Sequence, residues 1–193
     1  MSWLWHFYSY SQPAFDAYLG GGRAGAVEEV VDAVAWDGWA WADPVVIRRL
    51  AERVAHRGIS YAGLTRHEAE CLDELIPALF APEGLAAQWD VVPESPDGLH
   101  PSVVQEMMRR AAGAALLPIL LSGRRYGAVE PCACGYCLLS SSEAEQMAAE
   151  AERTLASTRA WSGAWVPGVV RDCLLDPLRS AFAKGRTLIG KLG

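Results

Sequence analysis

Three cysteines stand close together in Pro131-Cys132-Ala133-Cys134-Gly135-Tyr136-Cys137, with the proline and glycine that let a loop fold back on itself. Thiolates bind Zn²⁺ tetrahedrally, and a structural zinc site wants four such ligands. The triplet supplies three, so the fourth has to come from elsewhere. Cys173 is the first candidate, Cys71 the second, and His67 or His100 follow. The candidate zinc ligands are therefore Cys132, Cys134, Cys137 and Cys173, although a full zinc signature has two paired knuckles and this chain shows one. The same run contains Cys134-Gly135-Tyr136-Cys137, a Cys-x-x-Cys spacing that places two sulfurs in disulfide reach and favours the thiolate when a helix start lies near, as it does at Ser140. The plainer alternative is a set of small residues in a loop that holds no ion.

Two other groupings could act. His67 and Cys71 are four residues apart, hence on one face of a helix, where a base could sit beside a thiol nucleophile. Leu72, Leu75, Ile76 and Leu79 on the same stretch make Cys71 a packing residue at the flank of a core on the simpler reading. Trp36, Trp39 and Trp41 put three large rings in a turn-rich stretch. Tryptophan is over-represented where binding energy concentrates, so these are the candidate partner-binding residues, with packing as the competing use. The chain has no phosphate-cradling loop with its lysine, no His-Glu-x-x-His and no serine in a nucleophile-elbow setting.

Composition narrows the class. The 193 residues carry 17 Lys and Arg against 23 Asp and Glu, a net charge of -6, which argues against a surface that tracks nucleic-acid phosphates. The arginine pairs Arg48-Arg49, Arg109-Arg110 and Arg124-Arg125 are isolated and read as solvated positions. The longest apolar run, 111–121, contains Gly113 and Pro118 and is too short to cross a bilayer. The first residues lack the order of a signal peptide. The expectation is a cytoplasmic protein with neither a nucleic-acid nor a membrane partner, and five cysteines there read as thiols or ligands and not as a disulfide framework.

The elements that must position these residues follow from periodicity. Trp3, Trp5 and Phe7 alternate on one face of an N-terminal strand, and Pro13 to Leu19 reads as a short helix stopped by Gly20-Gly21-Gly22. Residues 24–35 carry valines at helical spacing. Asp43-Pro44 starts a helix that Gly58 ends. Thr65 with Glu68, Ser102 with Gln105 and Ser140 with Glu143 have the capping-box spacing. The first of these predicts a helix towards Phe80, kinked or cut short by Pro77, the second a helix to Leu117, and the third a helix to Thr158. Pro167 to Lys184 predicts one more, closed by Gly185, before a final strand at 187–189, and a short extended piece is expected at 89–92. The sum is one helix-rich α+β domain over residues 1–193, with a small mixed sheet holding strands from near both termini.

The ending Leu178 to Ile189, an aromatic-bearing helix that reaches a glycine and feeds a strand, resembles that of the YfbM-like family and related actinobacterial domains of unknown function. The segment Gly135-Tyr136 leading into the capped helix at Ser140, and the N-terminal strand with its short helix, are similar to that family as well. The resemblance implies an α+β fold and brings no activity with it. The cysteine triplet and the 36–41 tryptophans depart from the family pattern.

These residues point to a non-enzymatic domain that binds another protein, with a Cys-rich loop suited to a structural zinc. An acidic binder of this kind would suit neutralisation of a toxin, by analogy alone. The alternative is a metal- or thiol-dependent enzyme that uses Cys132, Cys134 and Cys137.

Overall fold

The computed structural model describes residues 3–20, 27–29, 31–32, 43–80, 90–95, 97–111, 113–157 and 160–193. Trp36, Trp39, Trp41 and the extended piece expected from Trp89 lie wholly or partly outside them. The chain divides into two compact units, Met1–Ser9 with Val92–Gly193, and Tyr10–Val91.

The larger unit is built on a four-stranded antiparallel sheet. Strand β1 (Trp5–Tyr10) stands between β2 (Val92–Pro93) and β4 (Thr187–Leu192), and β4 also pairs with β3 (Tyr136–Leu139). Leu4 and Gly193 exchange both backbone hydrogen bonds, at 2.9 and 3.1 Å, which ties the two ends of the chain. The sheet is antiparallel where a mixed one was expected. Between β3 and β4 the chain makes two helical passes, and an even number of passes returns a strand in the opposite direction, where a single crossover would give a parallel pair. Among the described residues the parallel contact is an isolated bridge from Arg124 to Cys137.

Alternation along β1 buries Trp5 and Phe7 while Trp3 stays 62% exposed. The buried pair joins Met107, Leu139, Met147 and Leu188 in one apolar core. Helix α6 (Ser141–Leu155) begins at the expected capping box of Ser140 and Glu143 and lays Ala144, Met147 and Ala151 on that core. The predicted helix from Pro167 is present in three pieces, α7 (Val166–Val170), a wider π-helical turn (Arg171–Leu175) and α8 (Asp176–Ala183). Pro177 explains the wide turn: it has no N–H to give, and its ring would press on the carbonyl four residues earlier.

The helix expected from Ser102 to Leu117 is shorter and starts earlier. Helix α4 (Pro101–Met108) is capped by His100, whose Nδ1 accepts the Ser102 N–H at 3.1 Å, and Ser102 Oγ is itself engaged by that ring nitrogen at 2.7 Å. The chain then passes through Gly113 in left-handed backbone, and the N–H groups of Ala115, Leu116 and Leu117 all point at the buried carboxylate of Glu150, each at 3.0 Å. A short helix α5 (Ile119–Ser122) follows.

In the smaller unit, α1 (Gln12–Gly20), α2 (Pro44–Arg57) and α3 (Arg66–Leu79) pack together, and residues 27–29 and 31–32 are helical. Asp43 caps α2 and the full Thr65–Glu68 box caps α3, both as their sequence patterns indicate. Pro77 falls in the last turn of α3, where it has no N–H to give to the carbonyl of Asp73, and the helix ends two residues later at Leu79. Tyr10, Phe15 and Phe80 cluster in edge-on and tilted contacts with ring centroids 4.6 to 5.4 Å apart. Among the described residues no helix is long and apolar enough to cross a membrane.

Candidate functional site

The cysteine triplet splits between a loop and a strand. Cys137 lies inside β3 with no exposed surface, against Phe7 and Gly190, and burial pushes its thiol up to about 12 despite a Gly190 backbone hydrogen bond and the Arg124 charge. Cys173 is packed in the core from the π-helical turn, and burial raises its pKa too. Cys132 and Cys134 are half-buried in the preceding loop, and their sulfurs are 4.0 Å apart. Among the described residues no group of three or more His, Cys, Asp or Glu gathers where a metal ion could be held. The sequence-derived set of Cys132, Cys134, Cys137 and Cys173 is thus resolved into one adjacent pair at the surface and two thiols in the core.

The loop is held by backbone bonds. Cys132 N–H donates to Gly123 O at 3.0 Å, Cys134 N–H to Ser122 O at 2.9 Å, and Arg124 N–H to Tyr136 O at 2.8 Å. Gly123 makes this approach possible: its φ is +83°, and a Cβ there would overlap the carbonyl oxygens of Cys134 and Tyr136. Arg124, expected at the surface, is buried. Its guanidinium grips Glu143 through two bonds of 2.7 and 3.0 Å and also donates to Leu138 O. The hydrogen bond from Arg124, with further ones from Ser140 overcoming the cost of burial, holds the Glu143 carboxyl at about 2. One carboxylate therefore caps α6 and anchors the start of the cysteine loop.

His67 and Cys71 meet on α3 with Nε2 3.8 Å from Sγ. Cys71 is wholly buried, and burial together with Glu70, Asp43, Glu68 and Glu74 raises its pKa. That environment opposes a thiolate nucleophile, and the packing role fits.

A second feature lies where α4 faces the start of α7. A shallow cleft of about 210 Å³ is lined by Val103, Gln105, Glu106, Arg109, Trp165 and Val166, among others. Trp165 is 62% exposed, and the absence of a side chain at Gly163 gives its ring room, since a Cβ would meet the indole edge within 2.8 Å. Beneath it, Glu106 accepts the Ser162 N–H at 2.6 Å and its hydroxyl, and pairs with Arg110 at 2.8 Å. The two Ser162 hydrogen bonds first, and Arg110 after them, hold the Glu106 pKa low against desolvation. Arg110 in turn lies 4.2 Å from the Trp161 ring centroid. Sequence reasoning passed over this face because Arg109-Arg110 looks like a solvated pair and Trp161 and Trp165 are four apart in a segment without a motif. Their spacing in a Gly-Ala-rich stretch was the available signal.

No family model, curated protein or solved structure matches the chain.

Proposed function

We propose that the chain is a non-enzymatic intracellular domain that binds another protein through the Trp165 cleft. The observation that carries this reading is a tryptophan left 62% exposed over a formed cleft whose floor is fixed by the Glu106, Arg110 and Ser162 bonds. Binding energy concentrates where a large ring meets a partner in a site already in shape, because little side-chain freedom remains to be lost. Glu106 is committed to Ser162 and Arg110, and Arg109 is exposed at the rim. The fitting occupant is a protein segment that presents an apolar side chain to Trp165.

The test compares capture from the native host by the wild-type chain and by two variants, Trp165→Ser and Arg109→Glu, each shown to melt as the wild type does. A protein retained by the wild type and lost by both variants supports the reading. A protein retained equally by all three overturns it.

A further inference from the structure

The two sulfurs of the cysteine loop are not equivalent. Cys132 Sγ accepts the Arg125 N–H at 2.8 Å, whereas Cys134 Sγ donates to the Tyr136 carbonyl at 3.2 Å. Between them the backbone turns back, with Cys134 N–H donating to Cys132 O at 2.7 Å, a three-residue turn. Residues two apart span at most about 7 Å when fully extended, and disulfides join Cα atoms about 4.4 to 6.8 Å apart, so a turned Cys-x-Cys lies within range. The bonds to Gly123 and Ser122 already fix the main chain on both sides. Side-chain rotation alone then has to bring the sulfurs from 4.0 Å to bonding distance.

We propose that Cys132 and Cys134 form a thiol–disulfide exchange site whose co-reactant is a low-molecular-weight disulfide. The pair differs from the Cys134–Cys137 spacing that the sequence offers, because Cys137 is sealed in β3. Cys132 is the attacking sulfur, since the Arg125 amide stands ready as a donor to charge on it, and Cys134 is the resolving thiol. In the first step the Cys132 thiolate attacks one sulfur of the small disulfide. A bond forms between them, and the other half leaves as a thiolate that takes a proton from water. In the second step Cys134 gives its proton to water and attacks Cys132 Sγ, and the attached half leaves as a second thiol. Two protein thiols are oxidised to one disulfide while one external disulfide is reduced to two thiols.

This inference does not rest on the Trp165 cleft, and its test is separate. The reduced full-length protein is exposed to glutathione disulfide under native conditions, quenched by acid at intervals, and mapped by intact and peptide mass. The wild type is expected to lose two hydrogens, to carry a Cys132–Cys134 link and to retain no glutathione. Cys134→Ser is expected to stop at one glutathione on Cys132, and Cys132→Ser to consume the disulfide at least ~10-fold more slowly than Cys134→Ser. A wild-type chain that keeps glutathione without forming the link, that links Cys137, or that fails to react overturns the proposal, and this readout needs no variant to fold. Equal rates for the two variants overturn the division of roles.

Discussion

Removing the Glu150 side chain gives the most direct energetic check on how the loop between α4 and α5 is held. Glu150 is 3% exposed, and its two carboxylate oxygens accept the N–H groups of Ala115, Leu116 and Leu117, all at 3.0 Å. Gln146 Nε2 also donates to Oε1, at 3.4 Å. Glu150→Ala takes the acceptor from three donors at once. A buried donor left unpaired costs about 1–3 kcal/mol, and water entering beside Ala115 relieves part of the total, so the expected loss is about 3–5 kcal/mol. Against a typical domain stability of about 5–15 kcal/mol, such a loss is large enough to measure without ambiguity. Glu150→Gln keeps the shape. Oε2 serves Leu116 and Leu117, so the amide oxygen can stay there, but the amide nitrogen then faces the Ala115 donor. The expected loss for that variant is about 1–3 kcal/mol. Urea unfolding followed by far-UV circular dichroism reads both, and native-state hydrogen exchange at residues 115–117 localises the change. A loss below about 1 kcal/mol for Glu150→Ala, with those amides still protected, would refute the argument.

Acid is expected to weaken the fold through Glu143. Its folded pKa of about 2 lies below the ordinary 4.5, so its contribution is complete above pH 4.5 and is lost as pH falls from there towards 2. The gap amounts to about 3 kcal/mol, and screening at a carboxylate one-third exposed reduces it to about 1–2 kcal/mol. Glu143→Gln should therefore be less stable than the wild type at pH 7 and match it near pH 2, and parallel stability curves would contradict this. Gly123→Ala should cost more than 1 kcal/mol or so, because the left-handed backbone and the carbonyls of Cys134 and Tyr136 both exclude a Cβ. A thermal melt unchanged in that variant would show that the loop can give way. Arg110→Met should remove the partner of Glu106 and the cation from the Trp161 ring, and a melting temperature within error of the wild type would show that this floor of the cleft is not structural.

The α+β class and the strands near both ends were legible because their signals are local. Alternation of Trp5 and Phe7, the Thr65–Glu68 and Ser140–Glu143 boxes, and Asp43-Pro44 each fix a backbone geometry within a few residues. The Ser102 box failed for an equally local reason, since His100 followed by Pro101 offers a competing cap two residues earlier. What the sequence could not display is pairing over distance. Arg124 meets Glu143 across 19 residues, Glu106 meets Ser162 across 56, and Arg186 donates to Ser9 Oγ, at 2.9 Å, across 177. Each turns a polar residue that looks solvated into part of the interior. The cysteine triplet shows the same limit. Its spacing alone suits one ion, but Tyr136 to Leu139 forms a strand buried along its whole length, and pairing with β4 takes Cys137 into the core, away from Cys132 and Cys134.

The binding account turns on Trp165, and the affinity of an identified protein partner for the wild type and for Trp165→Ser, measured by titration calorimetry at fixed salt, tests it most directly. A central exposed ring lost from a binding face should weaken the complex by at least about 2 kcal/mol, or roughly 30-fold in Kd. A change of less than about 3-fold, in a variant that folds as the wild type does, would contradict the claim that this cleft is where the protein binds.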